Sequence, residues 1–148
     1  FSICHVGGTY SLRVSNDCHS KKQSQWFYFS CKGIKKGRFR IGGFVKTDSL
    51  YNYGMKICIQ EEGRWFRGGE NISYEKSDDS DEYCLSFTYR FRQPYKKTYF
   101  AYCFPYTYTE LQQFLFELNR RKLPYLSSCI LTKSLLKNNI DCLTITHG

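Results

Sequence analysis

The residues of this sequence that could perform metal or nucleophilic chemistry are few, and their spacing does not suit it. The three histidines, His5, His19 and His147, belong to no H-x-x-E or H-E-x-x-H pattern. Two of them directly follow a cysteine, and adjacent residues on a strand point to opposite faces, so such a pair does not converge on one ion. No G-x-S-x-G elbow or phosphate-binding loop is present. We therefore predict that this chain contains no catalytic residue, no metal ligand and no cofactor site.

Paired carboxylates occur at Asp78-Asp79 and Asp81-Glu82 and could in principle form an acid–base pair. They lie in a short acidic, serine-containing stretch, which is more typical of a solvated loop. A free-standing hydrolase built on these carboxylates would also need a base, an orienting group and oxyanion donors, and the sequence offers none that match.

Positive charge is concentrated between Cys18 and Thr47, where there is no acidic residue, and the whole chain has a net charge of +9. A basic surface attracts anions, although an exposed charged turn is an equally good interpretation. The aromatic run Trp26–Phe29 indicates a buried strand rather than a stacking platform, so nucleic acid is not the expected partner. The candidate contacts with an acidic partner are Lys32, Lys35, Lys36, Arg38 and Arg40.

The eight cysteines favour reduced thiols over a disulfide framework. No C-x-x-C motif occurs, and a chain of this length does not need covalent cross-links to build a core. A cysteine within an apolar strand behaves as a small buried hydrophobic residue. Five cysteines lie in such runs: Cys31, Cys58, Cys84, Cys103 and Cys142.

The elements that carry these residues are mostly strands. With 148 residues and 18% aromatic residues, the chain has the composition of a β-rich globular protein with about eight short strands. Residues Tyr83–Phe91 alternate between apolar and polar side chains, which predicts a half-buried antiparallel strand. Gly42-Gly43 predicts a bulge or a close backbone approach. No apolar run is long enough for a transmembrane helix.

The pattern changes near Pro105, which we interpret as a domain boundary. Thr109 and Gln112 have the spacing of a capping box, and a helix is predicted at about 110–122. A hairpin is predicted at about 129–146, turning at Lys137-Asn138-Asn139. If the helix packs on a sheet outside this chain, its apolar face is open here, and we expect self-association or docking on the strands. That face consists of Leu111, Phe114, Leu115 and Leu118.

Four segments resemble one known family, the cytosolic carboxypeptidases, a branch of the zinc carboxypeptidases that includes the tubulin deglutamylases. The Phe-Pro-Tyr-Thr-Tyr element is the most specific of them, and the resemblance extends from about Tyr10 to Thr146. The segments are Gln25–Phe29, Tyr51–Met55, Tyr99–Thr109 and Leu143–Thr146.

The resemblance implies an antiparallel β-sandwich N-terminal domain of eight or nine strands over 1–105. Residues 106–148 would then be the truncated start of the α/β zinc carboxypeptidase domain. The family's His-x-x-Glu motif, later zinc-binding His, Asn-Arg pair and catalytic Glu are not found, and His147 does not match. The chain, which begins at Phe1 rather than Met, is therefore expected to be a fragment without activity of its own.

The parent protein would be a cytoplasmic zinc enzyme that removes C-terminal glutamates from tubulin or other acidic proteins. The partners implied for this fragment are its own catalytic domain and glutamylated tubulin tails, and no membrane. The alternative is a stand-alone basic β-sandwich module that binds acidic proteins or single-stranded nucleic acid.

Overall fold

The computed structural model describes residues 3–6, 8–20 and 23–147, with only the backbone of 3–6. The chain divides into two compact units, Phe1–Pro105 and Tyr106–Gly148. The change from alternating to helical patterning near Pro105 coincides with this division. We call them unit 1 and unit 2 and describe each by itself.

Unit 1 begins with a five-stranded sheet in the order β1-β2-β4-β8-β7. Its neighbours pair antiparallel except β2 and β4, which are parallel. This pair departs from the fully antiparallel sandwich that was predicted, because the connection from β2 to β4 passes through a strand of the other sheet before it returns. The strands are β1 Ile3–Val6, β2 Thr9–Arg13, β4 Lys36–Phe44, β7 Glu70–Lys76 and β8 Tyr83–Arg90.

A four-stranded sheet of order β3-β9-β5-β6 completes unit 1. All of its pairs are antiparallel. A short 3-10 helix, Leu50–Tyr53, precedes β5. The predicted fold, mainly β with two sheets followed by one helix and a hairpin, is confirmed. The strands are β3 Tyr28–Cys31, β5 Ile57–Glu61, β6 Arg64–Gly68 and β9 Thr98–Ala101.

Aromatic side chains fill the space between the two sheets. Phe39 of β4 lies 5.0 Å from Phe87 of β8 and 5.2 Å from Phe100 of β9, measured between ring centroids. Phe29 of β3 stacks on Phe100 at 5.3 Å. Such ring pairs add about 0.5–1.5 kcal/mol beyond the burial of their area. The high aromatic content of the sequence is therefore largely a property of this core.

Strand β8 confirms the period-two prediction. Leu85, Phe87 and Tyr89 are buried in the core, and Phe91, one residue beyond the strand, is buried with them. The alternate residues Cys84, Ser86, Thr88 and Arg90 lie on the other face, because successive side chains of a strand point to opposite sides. Thr88 is buried on that face. One side of the five-stranded sheet is thus apolar and the other polar.

The predicted irregularity at Gly42-Gly43 is also confirmed. The pairing of β4 with β8 shifts register between Ile41 and Phe44, as in a β-bulge. Gly43 has a φ of +91°, and a Cβ there would lie 2.9 Å from the Val14 carbonyl oxygen. Both alternatives in the prediction, a bulge and a close approach, therefore hold at one residue.

Unit 2 starts with helix α1, Tyr108–Arg120, two residues earlier than predicted at each end. Its N-cap is Thr107 and not Thr109. The Glu110 carboxylate accepts a hydrogen bond from the Thr107 backbone N–H at 2.6 Å, and the Thr107 hydroxyl accepts one from the Glu110 N–H. Of the two overlapping capping boxes, the one with Glu forms, because a charged acceptor bonds more strongly and suits the helix N-terminus.

A two-stranded hairpin follows, with β10 Leu126–Lys133 and β11 Asn139–Ile145. It begins three residues before the predicted range, and its loop covers 134–138 rather than Lys137-Asn138-Asn139. Within that loop Lys137 takes the left-handed conformation, at a φ of 63°, where an asparagine was expected. The Ser134 hydroxyl accepts from the Asn138 N–H and supports this longer turn.

Helix α1 packs on this hairpin. Gln112 donates to the Asp141 carboxylate at 2.7 Å, and Ser128 donates to the Asn119 side chain at 3.0 Å. Leu115 lies on the same helical face and is buried. Of the four residues predicted to form an open apolar face, Leu111 and Leu118 are half-buried and only Phe114 is exposed, at 54%.

Candidate binding surface

Three of the predicted acidic-partner residues lie side by side on the outer face of the five-stranded sheet. Lys36, Arg38 and Arg40 occupy alternate positions of β4 and are exposed, whereas the residues between and after them, Phe39 and Ile41, are buried. Their shared direction is a consequence of the two-residue period of a strand. The alternation K-G-R-F-R-I thus sorts the charged side chains onto one face.

The neighbouring strand adds a fourth cation. In the β4–β8 register, Arg90 stands opposite Lys36, and Ser86 stands opposite Arg40. On the other side of β4, Thr9 and Ser11 of β2 pair with Arg38 and Arg40. The alternation of Tyr83–Phe91 predicted a polar face on this strand, which includes Arg90, but the position of Arg90 beside β4 requires the register. We call Lys36, Arg38, Arg40 and Arg90 the cationic face.

A groove of about 350 Å³ runs along this sheet beside Arg38 and Arg40. Its wall contains hydroxyl groups and the Cys84 thiol. It also contains acidic residues at one end. The lining is Thr9, Arg38, Arg40, Ser73, Glu75, Lys76, Asp78, Cys84 and Ser86.

The acidic stretch is thus part of the same surface. A hydrogen bond with Cys84, together with the negative charge of Asp78 and Asp79, raises the pKa of the Arg40 guanidinium. Nearby, Arg13 pairs with Glu82, and Lys76 pairs with Asp81 at 2.8 Å. We call residues 77–82 the acidic loop. It provides counter-charges for Arg40 and for the flanking cations.

Acidic residues also lie near the rest of the cationic face, since Glu75 lines the groove beside Arg38, and Glu70 and Arg38 both pair with Thr88 of β8. Among the residues that the structure describes, Lys36, Arg38 and Arg90 form no ion pair within 4.0 Å. Three exposed cations on neighbouring positions repel one another, and an anion lying across them would relieve that repulsion. This arrangement is suited to binding an anionic group.

The remaining predicted contacts are placed differently. Lys32 and Lys35 are exposed in the connection between β3 and β4, before the sheet begins. Lys46, which belongs to the same basic stretch but was not one of the predicted contacts, follows β4 and is exposed too. Lys21 and Lys22, part of the same basic stretch, lie outside the described residues. The structure therefore brings Lys36, Arg38 and Arg40 together on one face. The other two predicted contacts, Lys32 and Lys35, lie in the connection that precedes this strand.

The carboxylates of the acidic loop do not form an acid–base pair. Asp78 and Asp79 are exposed. Lys76 lowers the pKa of Asp81 through a hydrogen bond and its charge. A general acid at neutral pH needs the opposite shift, which burial or a second carboxylate would produce. The solvated-loop interpretation agrees with these environments.

Cys31 and Cys58 are not set up as nucleophiles. Burial raises the pKa of Cys31 to about 11, and burial raises the pKa of Cys58 as well. A reactive thiol needs a lowered pKa, because the thiolate is the nucleophile. Cys58 is fully buried, whereas Cys31, Cys84, Cys103 and Cys142 are half-buried.

The aromatic run Trp26–Phe29 divides between the core and a second surface. Phe27 is fully buried, as predicted, but Trp26 is 44% exposed. Tyr28 contacts Trp26 and also Trp65 of β6, at 6.1 and 6.2 Å between ring centroids. The prediction that the whole run is core is therefore wrong for Trp26, because alternation sends every second ring to the outer face of the four-stranded sheet.

The described residues do not fit a metal ion. Across 8–20 and 23–147, no three His, Cys, Asp or Glu side chains converge as a metal site requires. His19 and His147 are both exposed. Over the same ranges no helix combines the length and the apolar character needed to cross a bilayer.

Comparison with curated proteins finds relatives that are all named cytosolic carboxypeptidases. The chain is 36% identical over 157 residues to cytosolic carboxypeptidase 2 of Xenopus tropicalis, a match that covers 93% of this chain and 16% of that protein. It is 33% identical to cytosolic carboxypeptidase 3 of Bos taurus and to human cytosolic carboxypeptidase 2. This chain therefore spans about a sixth of the length of these relatives. No family model matches it.

Solved structures share the fold. A metallo-carboxypeptidase from Pseudomonas aeruginosa, in complex with (2-guanidinoethylmercapto)succinic acid, matches with a TM-score of 0.68 at 18% identity. That match covers 99% of this chain and 37% of the solved one. A metallo-carboxypeptidase from Burkholderia cenocepacia matches with a TM-score of 0.64 at 19% identity.

The fold of two sheets, a helix and a hairpin is thus shared with solved metallo-carboxypeptidases. The sequence identity of 33–36% to cytosolic carboxypeptidases, over 93% of this chain, identifies one family within that class. The chain belongs to the cytosolic carboxypeptidase family, as its Phe-Pro-Tyr-Thr-Tyr element and its other three segments indicated.

Proposed function

We propose that this chain is the N-terminal accessory and folding domain, with the start of the catalytic domain, of a cytoplasmic zinc metallocarboxypeptidase. The observation that carries the proposal is the identity of 36% to a cytosolic carboxypeptidase over 93% of the chain. The short share of the relatives that the chain spans supports a role as one part of a larger enzyme.

Unit 2 supports the idea that more of the protein packs against this chain. A two-stranded hairpin is marginally stable alone, yet several of its apolar side chains are exposed. Further elements of the protein packed against the faces of the hairpin would bury them. They include Ile130, Leu131 and Ile145.

Catalysis is assigned to the part of the protein outside this chain. The zinc ion that such an enzyme uses to polarise a scissile carbonyl and activate water would be held there. The contribution of this chain is structural, through the aromatic core of unit 1.

The proposed substrates are acidic proteins, tubulin among them, from which C-terminal glutamates are removed. The cationic face supports this assignment, since complementary charge steers a negatively charged partner toward the protein.

The test is an activity comparison. The full-length protein that contains this chain should release glutamate from the C-terminus of a glutamate-rich peptide, and a zinc chelator should abolish the release. The 148-residue chain alone should release none. Hydrolysis by the chain alone would refute the division of labour. A coding region that ends with this chain would favour the alternative, a stand-alone module for acidic proteins.

A further inference from the structure

We propose that the cationic face is a binding site for an extended acidic peptide. This inference rests on the proposed function, in that the peptide is a segment of the acidic substrate. The glutamate side chains at every second residue of that segment contact Lys36, Arg38 and Arg40 in turn, and Arg90 flanks the first of these contacts.

The spacing of the cations carries the argument. Alternate residues of a strand lie about 6.6–6.8 Å apart, which is the separation of Lys36 from Arg38 and of Arg38 from Arg40 along β4. An extended peptide has the same repeat, so carboxylates on one of its sides recur at the same distance. A segment lying along β4 therefore meets one cation per carboxylate without leaving the extended conformation.

The surroundings favour a peptide over a nucleic acid. Next to Arg38 and Arg40 stand Thr9, Ser11 and Ser86, whose hydroxyls can donate hydrogen bonds to carboxylates. Single-stranded nucleic acid needs aromatic rings on which its bases stack. On this sheet the nearby ring of Tyr10 stacks inward on Phe39, at 5.5 Å between centroids.

The acidic loop sets one limit of the site. Asp78 and Asp79 lie near enough to Arg40 to raise the pKa of its guanidinium, after the hydrogen bond with Cys84. An incoming carboxylate must compete with them for Arg40, whereas Lys36 and Arg38 form no ion pair within 4.0 Å among the described residues. The loop thus weakens binding at the Arg40 end, and neutralising it should tighten binding.

The first experiment tests the repeat. Binding of the 148-residue chain to two labelled peptides of equal length and composition is measured by fluorescence anisotropy at low and high salt. In one peptide Glu and Ser alternate, and in the other the glutamates come in adjacent pairs. We expect about three- to tenfold tighter binding of the alternating peptide, and loss of that binding at high salt. Equal affinities would overturn the proposal, as would tighter binding of an oligothymidine of equal charge.

The second experiment tests the residues. The double substitution Arg38→Gln and Arg40→Gln should weaken binding of the alternating peptide about five- to tenfold. The control, Arg64→Gln with Arg121→Gln, removes the same charge from two exposed arginines elsewhere in the chain and should change binding less than twofold. An equal loss of affinity in both variants would mean that binding depends only on net charge, and would overturn the proposed site.

The third experiment tests the acidic loop. Asp78→Asn with Asp79→Asn should tighten binding about two- to threefold, relative to a control in which the exposed Asp17 and Glu117 become Asn and Gln. Unchanged or weaker binding would show that the loop does not limit the site. All variants alter exposed residues, and circular dichroism verifies that they fold.

Binding and catalysis can fail separately in these tests. If the full-length protein hydrolyses glutamate peptides but this chain shows no preference for the alternating peptide, the binding site is wrong and the proposed function stands. If the chain binds as described but the full-length protein releases no glutamate, the proposed function is wrong.

Discussion

Single residues decide how closely the strands of unit 1 can approach. Gly43 sits in the bulge of β4 with a φ of +91°, against the Val14 carbonyl oxygen, while its neighbour Gly42 has no positive φ. The nearest atom to a Cβ added at Gly42 is the Cys84 sulfur, at 3.4 Å. Alanine substitutions at these two glycines therefore distinguish the effect of backbone strain, present only at Gly43, from the effect of adding a methyl group, present at both.

We predict that Gly43→Ala destabilises the protein by at least about 1–2 kcal/mol, because an alanine there has a left-handed backbone and a Cβ in contact with a carbonyl oxygen. Gly42→Ala should cost less than about 1 kcal/mol. Urea unfolding followed by tryptophan fluorescence measures both. Equal effects of the two substitutions would mean that the close approach at Gly43 is not a constraint.

Removing a buried aromatic ring should destabilise the protein more than removing an exposed one. Phe100→Ala removes a fully buried ring and should cost about 3–5 kcal/mol, whereas Phe104→Ala, at a ring that is 55% exposed, should cost about 1 kcal/mol. The same unfolding experiment compares them. An equal loss of unfolding free energy in the two variants would contradict the prediction, because it would mean that the Phe104 ring contributes to stability as much as a buried ring.

At the scale of the element, helix α1 shows how local chemistry selects between two overlapping start signals. Thr107 with Glu110 and Thr109 with Gln112 have the same spacing, and the first pair forms the capping box. The helix also loses the predicted final residues, since Lys122 adopts a left-handed φ of 47° just after the helix.

We predict that Thr107→Ala lowers the stability of unit 2 by about 1 kcal/mol, because it removes the hydroxyl that accepts from the Glu110 N–H. Thr109→Ala, at the capping box that does not form, should have a smaller effect. Amide hydrogen exchange in the first turn of α1 distinguishes the two. Faster exchange in Thr109→Ala than in Thr107→Ala would show that Thr109, and not Thr107, is the N-cap.

The cap should also make the helix sensitive to acid. Hydrogen bonds from the Thr107 backbone and side chain lower the pKa of Glu110 below its ordinary value of 4.5. Its stabilising contribution is therefore complete above about pH 4.5 and is lost as the pH falls through the lowered pKa. NMR titration of the Glu110 carboxyl should give a midpoint below the ordinary value of 4.5. A midpoint at or above that value would contradict the capping box.

At the scale of the whole molecule, the two units differ in how completely they bury apolar residues. Unit 1 has a closed aromatic core between its sheets. Unit 2 contributes few buried side chains, among them Leu115, and exposes Phe114, Phe116 and much of its hairpin. Exposed apolar surface of this kind marks an interaction site or promotes association.

We predict that the chain by itself associates in a concentration-dependent way through unit 2. Phe114→Gln with Phe116→Gln should shift it toward the monomer mass of 17.6 kDa in light scattering. Tyr95→Gln with Leu50→Gln, at exposed residues of unit 1, is the matched control and should leave association unchanged. A monomer at every concentration would contradict the prediction.

The sequence by itself determined the features that depend on local periodicity and backbone sterics. The alternation of β8, the glycine bulge in β4, the presence of α1 and the resemblance carried by Phe-Pro-Tyr-Thr-Tyr could all be inferred before the structure was known. Each depends on residues close together in the chain, whose geometry follows from the two-residue and 3.6-residue periods.

Only the tertiary structure decided how these segments meet. It made β2 and β4 parallel, placed Arg90 beside Lys36, brought the acidic loop to Arg40 and turned Trp26 outward while Phe27 entered the core. Register and sheet assignment arise from the packing of strands that are far apart in sequence, and a shift by one residue would move every side chain to the opposite face. For that reason the cationic residues were visible in the sequence, but the surface they form was not.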